Sequence, residues 1–414
     1  MNTRNTIVTL IALTCFGMLP FSTVQAAKIG KNSCGGMDVP NAYCSFDEED
    51  GPGITIGKDS CNIEGACLGL GNGVKIGSKS CNGESACGYI GDGGGIAVIG
   101  NGSCNGEDAC YDAGLDGEVN IGGNSCNGYE ACEYAGYASG KATIGTNACI
   151  GYEACYYAGS YRGEITVDSG SCRGYEACYE ASKSTSSNAE IGKGSCIGAY
   201  ACYELAYEGG IAKIDKSSCN GYEACEYTAY EGEATIGAGS CNGAYACYSA
   251  AYDNSSSIEV GKGSCVGDGS CYETAYYGTA TIDDKSCQGD WACYYAAYYG
   301  SAEIGKGSCV SDGDACEYAG YYGAATIGDK SCNSYYACYG VAYNDSDNGV
   351  PSEVGDKACN AYQACYYAGD DYDSTIGDGS CNNYESCYQV GLDSEEVIGD
   401  KECNDIRECL NQEM

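Results

Sequence analysis

The sequence predicts an all-β solenoid, a parallel β-helix of about 16 coils with roughly 22 residues per coil. Three observations carry that expectation. Cysteines recur in pairs, nearly always with five residues between partners, and from Cys61 onward successive pairs begin 20 to 24 residues apart, with one step of 27 from Cys332 to Cys359. Almost every period can be written as one unit, A-x-I-G-x-x-S-C-N-G-x-x-A-C-Y-x-A, followed by a variable connection. Within each unit a short run alternates small or apolar residues with polar ones. A period of this size means a stack in which each coil buries its core against its neighbours, so chain length does not count domains.

The first 26 residues stand apart. Arg4, an apolar run over 7–21 and a small-residue pattern at Val24, Gln25 and Ala26 read as a secretory signal peptide. No other stretch is apolar enough to span a bilayer. The expected organisation is therefore a signal peptide over 1–26, an N-terminal capping segment over 27–53, a disulfide-stapled solenoid over 54–402 and a C-terminal capping segment over 403–414. The expected location is secreted, extracellular or at the cell surface.

Each coil opens on a strand. In EATIGAGSCNGAYACYSAAY, Ala234 and Ile236 alternate with Glu233 and Thr235, the period-two signature of one buried face. A corner follows, because Asn242–Gly243 supplies residues that tolerate positive φ. The segment after the second cysteine is read as another strand, since Leu68 and Leu70 alternate with glycine. The alternative is an α/β solenoid with one short helix per coil, suggested by the helical face of Ala292, Cys293, Ala296 and Ala297.

Successive sextets such as IGKGSC (191–196) and IGAYAC (197–202) resemble the pattern of hexapeptide-repeat β-helices. The whole unit also resembles secreted cysteine-repeat β-solenoid proteins with IGxxSCNGxxAC units, whose function is unassigned. The resemblance implies architecture and no activity. Hexapeptide acyltransferases would bring a catalytic histidine, and this chain has none.

Export implies that the cysteines are oxidised. Of 35, Cys15 leaves with the signal, and the rest form an even set. The expected pairs are Cys34 with Cys44, Cys61 with Cys67, Cys81 with Cys87, Cys104 with Cys110, Cys126 with Cys132, Cys149 with Cys155, Cys172 with Cys178, Cys196 with Cys202 and Cys219 with Cys225. They continue as Cys241 with Cys247, Cys265 with Cys271, Cys287 with Cys293, Cys309 with Cys316, Cys332 with Cys338, Cys359 with Cys365, Cys381 with Cys387 and Cys403 with Cys409. Zinc sites use tighter spacing, usually with histidine, so staples are expected and no cofactor. They are needed because the repeated interior residues are Ala, Gly, Ser and single Ile or Val, which bury little apolar area.

The net charge of −38 argues against nucleic acid and anionic lipid as partners. Acidic clusters at 46–50 (FDEED) and 369–374 (GDDYDS) offer oxygen ligands for divalent cations but match neither an EF-hand nor a calcium-binding nonapeptide repeat. The outward position before the Ile/Val-Gly step reads Thr235, Glu259, Thr281, Glu303, Thr326, Glu353, Thr375. Interleaved threonines keep stacked carboxylates apart, and such a face is a poor ice-binding array. Tyrosine, 41 residues in all, recurs after the second cysteine (Tyr156, Tyr179, Tyr203, Tyr248, Tyr272, Tyr294) and four positions later (Tyr207, Tyr230, Tyr252, Tyr276, Tyr298, Tyr321, Tyr343). Stacking coils must place these in rows that stabilise the rod or meet extracellular glycans or cell-surface matrix.

With no histidine, no nucleophile motif and no phosphate-cradling loop, the chain is expected to be non-enzymatic. The expectation is a stiff acidic structural or surface-interaction rod. The alternatives are a carbohydrate-binding or calcium-dependent adhesion module and, less favoured, an ice-binding protein or a polysaccharide-active enzyme. The sequons at Asn254 and Asn344 fall in long polar connections.

Overall fold

The computed structural model describes residues 27–35, 44–46, 53–91, 96–113, 117–133, 135–136, 140–156, 164–179, 188–203, 211–226, 232–249, 257–274, 278–296, 301–311, 313–321, 324–341, 343, 352–369, 372–390, 395–405 and 409. The proposed signal peptide, both sequons and most of the long connections lie outside these residues.

The chain is an all-parallel β-solenoid. Seventeen two- to four-residue strands form one sheet, from Lys28–Ile29 to Glu396–Ile398, each paired with the equivalent strand of the next coil. Ladder partners are 22 or 23 residues apart through most of the stack. The count exceeds the expected 16 because Lys28–Ile29 already pairs with Thr55–Ile56 as a first rung.

Alternation sets the register. Ala212, Ala234 and Ile258 stack inward, as do Ile214, Ile236 and Val260, while Lys213, Thr235 and Glu259 point out. The interleaved outward column is realised as read from the sequence: Thr235 faces Glu259, Glu259 faces Thr281, and the alternation continues to Glu353 and Thr375. Slipping one rung by one residue would turn its whole apolar set outward, so register is strongly fixed.

The corners differ from the expectation. In the corner Asn–Gly pairs the asparagine takes no positive φ and the glycine does so at Gly221 and Gly243 but not at Gly83, Gly106 or Gly128; the left-handed turn residue is the first cysteine of each pair, as at Cys126 (52°), Cys149 (51°) and Cys172 (52°). A second left-handed residue follows four positions later, at Glu130, Glu153 and Glu176. The asparagine instead links rungs through its amide. Asn220 Oδ1 accepts from Ile197 N at 3.0 Å, its own N donates to Asn242 Oδ1 at 3.1 Å, and its Nδ2 donates to Gly194 O at 3.2 Å.

The third side also departs from expectation. Only Cys67–Leu70 forms a strand there, paired with Cys44–Phe46; the equivalent described segments are turns, and no helix occurs among the described residues. The short-helix alternative is therefore not realised. Glycines and left-handed residues at Tyr295, Tyr318 and Tyr367 interrupt any regular repeat in this segment.

The core is a set of single-residue columns. Serines preceding the first cysteine are fully buried, and each bonds to the next rung: Ser218 Oγ donates to Gly237 O at 2.8 Å and accepts from Ser240 N at 3.4 Å. Hydroxyls thus satisfy backbone groups that the corner removes from the sheet ladder. Beside them runs the sulfur column. Seventeen disulfides each close within one rung, with Cα atoms 5.4–5.7 Å apart where the separation is six residues, as in Cys219–Cys225 and Cys61–Cys67. Cys309–Cys316 holds seven and Cys34–Cys44 ten.

Candidate functional site

The tyrosines form rows along the stack, because ladder spacing of about 4.8 Å suits offset ring stacking. The row after the second cysteine stacks as read from the sequence. Tyr156, Tyr179 and Tyr203 have ring centroids 5.2 Å apart, and Tyr248, Tyr272 and Tyr294 lie at 4.9 and 5.2 Å. Of the row four positions later, Tyr321 and Tyr343 stack at 4.9 Å. Tyr207, Tyr230, Tyr252, Tyr276 and Tyr298 lie outside the described residues.

A further row was not singled out from the sequence, although the repeated GYEAC carries it. Tyr129, Tyr152 and Tyr175 stack face to face at 5.0 Å with planes within 10°. They are 37 to 44% exposed, and so form a flat aromatic strip at the surface. Each phenol bonds to the glutamate that follows it. The Glu153 carboxylate, accepting that bond, pushes Tyr152 up to about 12, and Glu223 does the same for Tyr222. The phenols therefore stay protonated at neutral pH.

The strip is broken at one rung by Ala199 and, over several consecutive rungs, by a groove. At the positions equivalent to Tyr152 stand Ala244, Asp268 and Asp290, and the rings return at Tyr335, Tyr362 and Tyr384. Loss of side-chain bulk leaves a groove of about 710 Å³ running from Asn242–Gly243 past Asp268, Asp290 and Asp314 to Tyr335. Trp291, the only tryptophan of the chain, lines it and is 41% exposed. Its indole lies over Gly269, where a Cβ would fall within 3.0 Å of the ring, and its edge meets Tyr294 at 5.1 Å. Asp268 Oδ1 accepts from Ala244 N at 2.8 Å and Asp290 Oδ1 from Asp268 N at 2.9 Å, which orients both carboxylates.

Behind the groove, Asp314 and Glu317 share a hydrogen bond. Burial, reinforced by Asp314, raises Glu317 to about 7, and burial raises Asp314 as well. Glu317 occupies the row position that tyrosine fills in the flanking rungs, which is why it is poorly solvated. A carboxyl raised in the folded state adds stability below its ordinary value near 4.5 and loses it as pH climbs toward 7. The thermal midpoint is therefore expected to fall between pH 4.5 and 7 more steeply than in Glu317→Gln. Thermal melts of both across that window check the sign, and an equal or shallower slope in the wild type would contradict it.

The sequence-predicted cation clusters are only partly described: of FDEED only Phe46, and of GDDYDS residues 369 and 372–374. Sulfur atoms of neighbouring rungs, such as Cys104, Cys110 and Cys126, lie within 4.8 Å of one another, but all are bonded in disulfides. The cysteines thus make a continuous oxidised column.

The model of a domain of unknown function, DUF7640, matches three overlapping segments, 88–169, 135–231 and 207–296, which together span half of the chain. The chain belongs to the DUF7640 family. The matches start about 47 and 72 residues apart, that is, at two and three rungs, so the DUF7640 unit is a block of several coils. Its third match, 207–296, includes the groove from Asn242 to Trp291. Comparison with curated proteins and with solved structures gives no match.

Proposed function

We propose that the chain is a secreted, non-enzymatic structural or surface-interaction protein, a stiff acidic rod whose exposed aromatic strip meets neighbours. The observation that carries this reading is the unbroken register of the seventeen-strand sheet. Serines and asparagines at the corners are spent on rung-to-rung contacts, the cysteines close each rung on itself, and the tyrosine rows tie the rungs from outside. The disulfides suit an oxidising compartment, and no helix among the described residues is long and apolar enough to cross a membrane. The flat stack of Tyr129, Tyr152 and Tyr175 favours glycan binding as a second reading, since planar exposed rings can pack on sugar faces.

Solution scattering of the secreted protein is expected to give a rod of roughly 75 to 80 Å, from rungs about 4.8 Å apart. A glycan array probed with wild type and with Tyr152→Ala/Tyr175→Ala separates the readings. No glycan signal supports the rod, signal lost in the double variant makes the strip a glycan module, and turnover of any polysaccharide on the array would overturn the non-enzymatic assignment.

A further inference from the structure

The groove replaces the tyrosine row over several consecutive rungs, and it is built as a site. Its walls are preorganised: Gly269 makes room for the indole of Trp291, and Gly313 for the ring edge of Tyr335, each from a positive φ that a side chain would strain. Its polar lining is one-sided. Asp268 and Asp290 hold the same position on successive rungs and present carboxylate oxygens, Asp314 on the next rung lines the groove but shares its carboxyl with Glu317, Tyr335 and Tyr336, and the side-chain amide of Asn242 is already donated to Ser217 O at 3.0 Å. A neutral sugar, which needs donors as well as acceptors, finds few partners among these side chains. A ligand that only donates, carries positive charge and has an apolar stem fits each feature: the stem lies on the rings, and the ammonium groups meet the carboxylates and the indole face.

We propose that this groove binds a linear aliphatic polyamine. Rung spacing sets the register of the match. Carboxylates on neighbouring rungs repeat at about 4.8 Å, close to the reach of a three-carbon spacer between two amines, whereas alternate side chains on an extended peptide repeat at about 6.8 Å. The overall charge of −38 concentrates polycations near the whole surface, but that diffuse attraction is screened by salt, while carboxylates seated beside an aromatic wall keep their hold. This inference concerns a ligand of one groove and stands apart from the scaffold role of the rod.

Trp291 makes the test direct, because as the only tryptophan it reports from inside the groove. The full secreted chain is titrated in 150 mM salt with norspermidine, whose amines are separated by three carbons, with tryptophan emission read at selective excitation. A saturable change is expected, reached at concentrations at least threefold lower than with a triamine bearing six-carbon spacers. Asp290→Asn keeps the acceptor for Asp268 N, as asparagines do elsewhere in the ladders, and is expected to weaken binding at least tenfold. An exposed control, Glu259→Gln, should leave it unchanged. A response that does not saturate, an equal response to magnesium at matched ionic strength, or tighter binding of an oligoarginine peptide than of norspermidine would each overturn the proposal. These wild-type titrations decide the matter even if Asp290→Asn fails to fold.

Discussion

Complete reduction of the disulfides in denaturant-free buffer is expected to unfold the solenoid, with loss of its strand signal in circular dichroism and of its rod-like scattering. The reason is the poverty of the core. Most strands bury one alanine or serine and one Ile or Val, and only a few bury two aliphatic residues, as Ile165 with Val167 and Ile258 with Val260, so little apolar area opposes the backbone entropy of a glycine-rich chain. A bridge closing a seven-residue loop contributes about 2 kcal/mol in the chain-entropy model, and every rung has one. The single-rung test is Cys219→Ala/Cys225→Ala, which should cost about 2 kcal/mol or more, since it also removes two fully buried sulfurs from a packed column. A thermal or denaturant midpoint unchanged in that variant would show that neighbours, not staples, hold the rung. Between the two end rungs the cysteines from Cys61 to Cys387 have no solvent exposure, so their reduction should proceed only as rungs open, and its rate should track their opening.

The second large effect is expected from a single methyl group. Gly151 sits in the corner column at φ 145°, and a Cβ there would fall within 3.0 Å of the Gly174 carbonyl oxygen of the next rung. Neither backbone can retreat without breaking the ladder of bridges that links Ile150 to Asn127 and Arg173. Gly151→Ala should therefore cost about 3 kcal/mol, combining overpacking with a disfavoured φ. Gly170→Ala is the matched control, because its Cβ at φ 76° would meet nothing within 4 Å and only the conformational cost of about 1 kcal/mol applies. Equal melting temperatures for the two variants would mean that the close approach between rungs carries no energetic weight.

The contrast between these glycines shows what can be read from such a chain. Period, strand face and the Thr/Glu interleaving were legible because each is a one-dimensional pattern that stacking simply copies, as from Thr235 to Thr375. The rows after the second cysteine were legible for the same reason. The serine column was not, since a serine such as Ser218 carries no sign in the sequence that its hydroxyl is buried and shared between two rungs. The turn position was misplaced because asparagine and glycine are the usual left-handed residues, whereas here the cysteine itself takes that conformation. The groove was the least legible part: it is made by absences, at Ala244, Gly269 and Gly313, spread over a stretch of four rungs and visible only when rungs are superposed.

Among the described bridges none crosses from one rung to the next, and this decides how the rod bears load. Tension applied to its two ends acts along the hydrogen bonds, which then part row by row. Each detached rung pays out slack only up to its staple, because the segment between paired cysteines stays shortened to a Cα span of about 5.5 Å. Pulled from its ends, the rod is thus expected to give a sawtooth force response, each step shortened by its staple. A released rung faces an intact neighbour that templates its return, so the same molecule can yield repeatedly under stress and recover its length when the pull ends.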